Sequence, residues 1–188
     1  MELKLTPHFS LNEFTRSDTA KEKRIYNTPS DVVIGRLRDL CVNVLEPLRN
    51  RLACPIRVNS GYRSTALNRA VGGSPSSQHI LGEAADITAG SRDRNKRMLE
   101  ILTGRTDSPP ALPKGRERSL LGTDSLEDWD ADACSTQIAP SLTGRAGGES
   151  SLIFDQLIAE QCDKQGRPAW IHISYTKRRA NRGKVSYT

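Results

Sequence analysis

Seven residues separate His79 from Asp86, and Gly82 stands between them. On a helix that spacing sets the two side chains about 10 Å apart along the axis. Two ligands of one metal ion each bond it at about 2 Å, so a helical path keeps them from sharing it. If the pair works together, the chain must fold back within Ser77-Gln78-His79-Ile80-Leu81-Gly82-Glu83-Ala84-Ala85-Asp86, and Gly82 is the residue that permits the turn. Beyond it, Ala84-Ala85-Asp86-Ile87-Thr88 alternates as a strand, with Asp86 and Thr88 on one face and Ala85 and Ile87 on the other. A turn feeding a strand is therefore expected to aim an imidazole and a carboxylate at a common point.

A third ligand is sought among the remaining histidines, His8 and His172. His8 lies in an irregular N-terminal stretch and reads as a surface residue. His172 lies in Trp170-Ile171-His172-Ile173-Ser174-Tyr175, a clear strand whose alternation puts Trp170, His172 and Ser174 on one face. Two imidazoles and one carboxylate leave a fourth tetrahedral position open, the pattern of a catalytic rather than a structural zinc site. Read from these residues alone, two unrelated core histidines remain equally open.

The flanking elements read as scaffold. Ser10 is expected to cap a short helix holding Asn12, Glu13 and Phe14. Thr28-Pro29-Ser30 opens a long helix with Asp31 in its first turn. Val33, Leu37, Leu40, Cys41, Val44 and Leu48 define its buried face, and Pro47 is expected to kink it near its end. Ile56 to Ser60 reads as a strand stopping at Gly61, with Tyr62 and Arg63 displayed at its exit. Ser64 to Val71 makes a short helix ended by Gly72-Gly73, and Ser91 starts another that Gly104 ends. Leu152 to Glu160 fits strand or helix, and its β-branched content favours strand.

Residues 104–150 change character, being rich in Gly, Pro and Ser without a sustained apolar period. They are expected to form a long irregular insertion in a single domain spanning 1–188. Their acidic cluster (Glu127, Asp128, Asp130, Asp132) lacks the glycine of a calcium loop and reads as solvated charge.

The formal charge of +6 favours an anionic partner. Nucleic acid has weak support, since aromatics are few and no basic run is interleaved with them; only the tail bearing Lys177, Arg178, Arg179, Arg182 and Lys184 speaks for it. Cys41, Cys54, Cys134 and Cys162 show no tight spacing, which argues against thiolate zinc or a disulfide framework. No signal peptide or membrane-spanning run is visible, so the expectation is a soluble chain made in the cytoplasm, without a membrane partner.

Ser77-x-His79-x-x-Gly82-x-Ala84-x-Asp86, followed far downstream by Trp170-x-His172-x-Ser174, resembles the zinc peptidases of the M15 family. That family includes D-alanyl-D-alanine carboxypeptidases and phage L-alanyl-D-glutamate endolysins. Leu11-Asn12-Glu13-Phe14, Ser60-Gly61-Tyr62-Arg63-Ser64 and Asp155-Gln156-Leu157-Ile158 with Glu160 are similar to the branch called M15_3. The likeness covers about residues 5–103 and 152–188 and omits the Gly/Pro/Ser-rich middle.

The resemblance implies an α+β, hedgehog-like fold in which a small antiparallel sheet carries zinc and helices pack on one side. It implies Zn2+ held by His79, Asp86 and His172, and hydrolysis of a bond in the peptidoglycan stem peptide. A monomer is expected, acting in cell-wall lysis or remodelling after release, or as part of a phage particle. Arg63 is expected to pair with a substrate carboxylate or stabilise an oxyanion. Tyr62, Ser77, Gln78 and Trp170 are expected to bind substrate beside it.

The family's better-known members carry an acidic residue three positions before the last histidine ligand, where this chain has Ala169. The general base then falls to Glu160 or Asp155, which have opposite parity on their strand. Glu160 is preferred, because it shares parity with Gln156 and lies nearest the turn to His172; Asp155 can instead bind an arginine. The alternative is a zinc-containing module that binds cell wall or protein without hydrolysis.

Overall fold

The computed structural model describes residues 2–104 and 152–188. The expected insertion at 104–150 lies, beyond Gly104, outside the described residues, as does Cys134. Cys41 and Cys162 are free thiols.

Among the described residues, five strands form one sheet in the order β1-β2-β4-β3-β5. They are β1 (Arg57–Ser60), β2 (Ala84–Thr88), β3 (Gln156–Glu160), β4 (Trp170–Ser174) and β5 (Lys184–Tyr187). All pairings are antiparallel except β3 with β5, which is parallel. The purely antiparallel sheet expected from the resemblance thus gains a parallel edge strand. That strand comes from the basic tail, whose charge hides a short β-forming stretch, Val185-Ser186-Tyr187.

Alternation divides the sheet into two faces. Ala85, Ile87, Leu157, Ala159, Ile171 and Ile173 are fully buried and join the core. The helices supply the other wall: α1 (Leu11–Thr15), α2 (Asp18–Glu22), α3 (Asp31–Leu40), α4 (Glu46–Leu52), α5 (Thr65–Ala70) and α6 (Arg92–Thr103). Leu37, Leu40, Cys41, Val44 and Leu48 are all buried, as their spacing predicts, while Val33 is partly so. α2 is an addition to a stretch expected to be irregular; the Ser17 hydroxyl accepts from the Ala20 N–H and caps it.

The long helix departs from expectation before Pro47. Cys41–Leu45 forms a π-turn between α3 and α4, with the Glu46 N–H donating to the Cys41 carbonyl. Pro47 has no N–H to offer the preceding turn, and its ring crowds the carbonyl four residues back. Widening the helix there accommodates the ring without a break.

Local signals elsewhere act as expected. The Glu13 carboxylate accepts from both the backbone N–H and the hydroxyl of Ser10, closing the start of α1. Ser64 and Ser91 cap α5 and α6 through their hydroxyls, and Gly104 ends α6 in the left-handed region. Gly82 has φ +70°, and a β-carbon there would lie 2.6 Å from Val33 Cγ1 and 2.9 Å from the Val33 carbonyl oxygen. Gly82→Ala therefore adds left-handed strain to a collision with α3. The expected cost is about 2–4 kcal/mol, read by urea unfolding.

Candidate metal centre

The face of the sheet opposite the core carries the site. β2 and β4 pair so that Asp86 stands directly across from His172, and both side chains project from this polar face. His79 reaches the same point from the turn that precedes β2. Residues His79 to Gly82 close that turn through the Gly82 N–H donating to the His79 carbonyl.

Three atoms converge. His79 Nε2 lies 3.2 Å from His172 Nδ1 and 3.3 Å from Asp86 Oδ1, and the last two are 2.9 Å apart. Ligands bonding one ion tetrahedrally at about 2 Å stand about 3.3 Å from each other, so the triangle has the size of one face of a zinc tetrahedron. His79 is 3% exposed, while the side chains of His172 and Asp86 are 13% and 16% exposed, which leaves an approach from solvent.

Proton counting points the same way. His79 Nδ1 lies 2.6 Å from the Gly61 carbonyl. A carbonyl only accepts, so Nδ1 carries the proton and Nε2 presents a lone pair. With both rings neutral, the cluster then holds at most one proton, on His172 Nδ1, among three electron-rich atoms. A cation is what such a donor set lacks, and among the described residues this is the group of ligating side chains that can hold one.

The surrounding residues fix the ligands. Gly61 has no side chain because a β-carbon there would lie 2.6 Å from Phe14 Cα; the glycine lets the carbonyl that orients His79 sit against α1. Arg63 donates to the second carboxylate oxygen of Asp86 at 2.9 Å and to the Ser60 hydroxyl at 2.8 Å. Such outer partners fix a ligand's orientation and charge. Burial would raise the Asp86 carboxyl, but the hydrogen bond from His172 outweighs it and holds the group well below the usual carboxylate range. Asp86 is thus ionised, as a metal ligand must be.

The other residues singled out in the sequence separate into groups. Glu160 pairs across the sheet with Trp170, and Ile158 with His172, so Glu160 and Trp170 share the metal-bearing face, one strand repeat from His172. The Glu160 carboxylate accepts from the Thr188 hydroxyl at 2.7 Å. Asp155 is fully buried in a cage, accepting from both Arg179 and Arg182 side chains, the Arg182 N–H and the Gln78 amide. Burial raises the Asp155 carboxyl, but the Arg179 and Arg182 bonds prevail and hold it well below its ordinary range. Asp155 is the arginine-bound carboxylate the sequence allowed for.

Gln78 is engaged with Asp155, Ser77 accepts from the His79 N–H at 3.4 Å, and Tyr62 packs against the core. His8 pairs with Glu46 at 2.9 Å, away from the three ligands. The basic tail is largely consumed within the fold. Arg178 binds the buried Glu83 carboxylate, Arg179 and Arg182 bind Asp155, and Lys177 binds Asp39. Glu83 and these arginine partners were not visible as a pair of anchors in sequence. Their one signal is two acidic residues bordering apolar strands while the tail holds an excess of arginine.

The family model described as Peptidase M15 (Peptidase_M15_3) matches residues 7–106. This chain belongs to the Peptidase M15 family. The matched region holds His79, Asp86 and Arg63, whereas His172 is brought to them by the pairing of β4 with β2. The chain is also similar to the zinc D-Ala-D-Ala carboxypeptidase of Streptomyces albus G, with 34% identity over 88 residues. That alignment covers 43% of this chain and 32% of the relative, so this M15 chain spans about a third of the length of that curated protein.

Proposed function

We propose that this protein is a zinc peptidase hydrolysing a bond of the peptidoglycan stem peptide, either as a D-Ala-D-Ala carboxypeptidase or as an L-Ala-D-Glu endopeptidase. The observation that carries the reading is the His79–Asp86–His172 triangle, sized for zinc and short of protons, in an M15 chain. The D-Ala-D-Ala carboxypeptidase activity named for the Streptomyces relative supports the substrate class.

His79 Nε2, His172 Nδ1 and one Asp86 oxygen would hold the ion. When bound, zinc supplies Lewis acidity that polarises a peptide carbonyl and acidifies a water. Arg63 and the Gly61 carbonyl keep the ligands oriented. Glu160 would accept a proton from the attacking water and return it to the leaving amine, since it projects from the metal-bearing face while Asp155 is held in its cage. The Arg63 side chain is 21% exposed beside Asp86, where a substrate carboxylate can approach.

Glu160→Gln is expected to lower turnover of purified peptidoglycan or stem peptide about 10²–10⁴-fold while leaving zinc content unchanged. An undiminished rate would remove Glu160 from the reaction. A second reading, a metal-bearing binding module, is favoured by Ala169, whose N–H donates to the Glu160 carbonyl and whose side chain offers no proton acceptor. Zinc-loaded wild type that binds peptidoglycan and releases no new amino ends would establish that module instead.

A further inference from the structure

A cleft of about 640 Å3 lies between α2, β1 and α5, beside the metal centre. Arg16, Lys21, Arg57 and Arg63 line it, with Asp18 as the one carboxylate among its lining residues. Two of the cations face anions already: Lys21 stands 3.5 Å from Asp18, and Arg63 binds Asp86. The Arg16 guanidinium donates to the Val58 carbonyl at 3.3 Å, and no carboxylate among the described residues forms an ion pair with it. That bond covers a backbone acceptor of the sheet's edge strand and holds the charge at the cleft wall.

The cleft is joined to the metal centre by shared residues. Ser60 and Arg63 line it, and the Ser60 hydroxyl accepts from the same guanidinium that holds Asp86. At Glu83 and Asp155 the chain cancels its cations internally. Here, among the described residues, Arg16 brings to the cleft a positive charge that no carboxylate pairs.

We infer that this cleft is a subsite for the carboxylate-bearing part of an extended peptide whose scissile bond lies at the metal, with Arg16 as its specificity-determining cation. The inference rests on the peptidase reading and adds a preference to it. A stem peptide with a free D-Glu carboxylate binds better than the same peptide amidated there, because the amide leaves the cationic wall without a counter-charge.

The test is titration of the zinc-loaded protein, followed by NMR, with a stem pentapeptide whose N-methylated amides resist hydrolysis, in acid and amidated forms. The acid form is expected to bind about 10-fold more tightly than the amide, with shifts in residues 16–21 and 57–63. Arg16→Glu should abolish the preference. Should that variant fail to fold, Lys21→Glu, at an exposed position, should reduce it.

Equal affinities for the two forms, or a preference unchanged in the folded variants, would overturn the inference. Displacement of the acid peptide by oligothymidylate at lower concentration would also overturn it, in favour of nucleic acid. Turnover of the unmethylated peptide, followed on the same samples, separates the two claims. A carboxylate preference without turnover sinks the peptidase and keeps the subsite; turnover without the preference does the reverse.

Discussion

His172→Ala is expected to strip the protein of its metal and of all measurable peptide hydrolysis, while the sheet survives. His172 Nδ1 is one of three ligand atoms, and its removal leaves His79 and Asp86 alone. Loss of an outer partner already costs a metal site about 10–100-fold in affinity, so loss of a ligand exceeds 100-fold. The fold should tolerate the change, because the His172 side chain projects from the polar face and Ile171 and Ile173 carry β4 into the core. Zinc content after desalting, circular dichroism and release of new amino ends check the three parts. Full zinc retention in the variant would dissolve the proposed centre.

Asp155→Asn has a large expected effect on stability. The carboxylate is fully buried and accepts from two arginine side chains, a backbone N–H and Gln78. An asparagine keeps the volume but offers one acceptor and turns an NH2 group toward the guanidiniums. Removing one partner of a buried charge pair costs about 3–5 kcal/mol. The arginines are about half exposed and rehydrate in part, which places the expected loss near 3 kcal/mol and the midpoint about 10 °C lower.

The pH dependence has a definite sign. A carboxyl held below its unfolded value contributes stability that is present above about pH 4 and fades as pH falls toward the lowered value. Wild type should therefore lose stability steeply in acid, and Asp155→Asn should show a flatter curve there. Parallel curves would mean that the cage contributes nothing through its charge.

The same cage bears on the site. Gln78 ties the residue before His79 to Asp155, while Glu83, just past Gly82, binds Arg178 and the Thr176 hydroxyl. The turn carrying His79 is thus anchored on both sides to residues 155 and 176–178. Order in the C-terminal segment is in this way a condition for the position of a metal ligand.

Much of the site could be read from the chain because its logic is local. Gly82 marks the turn, and the two-residue repeat from Ala84 to Thr88 and from Trp170 to Ser174 assigns faces. Those faces then bring Asp86 and His172 together once the strands pair. The role of Arg63 as the partner of Asp86 was less legible, because an arginine after a strand says nothing about which carboxylate lies within reach. β5 is not legible in the sequence, since its pairing partner lies 28 residues earlier and its neighbours are charged. The π-turn escaped because helical periodicity barely changes when one turn widens. The Asp155 and Glu83 anchors depend on long-range contacts that no local pattern encodes.

The most direct measurement is the metal content of the purified protein together with its action on peptidoglycan stem peptide, before and after treatment with a chelator. One equivalent of zinc, with new amino ends released, lost on chelation and restored by zinc, is the result predicted by three ligand atoms spaced as His79, Asp86 and His172 are. A protein that holds no zinc, or that cleaves the peptide at the same rate without it, would contradict the assignment.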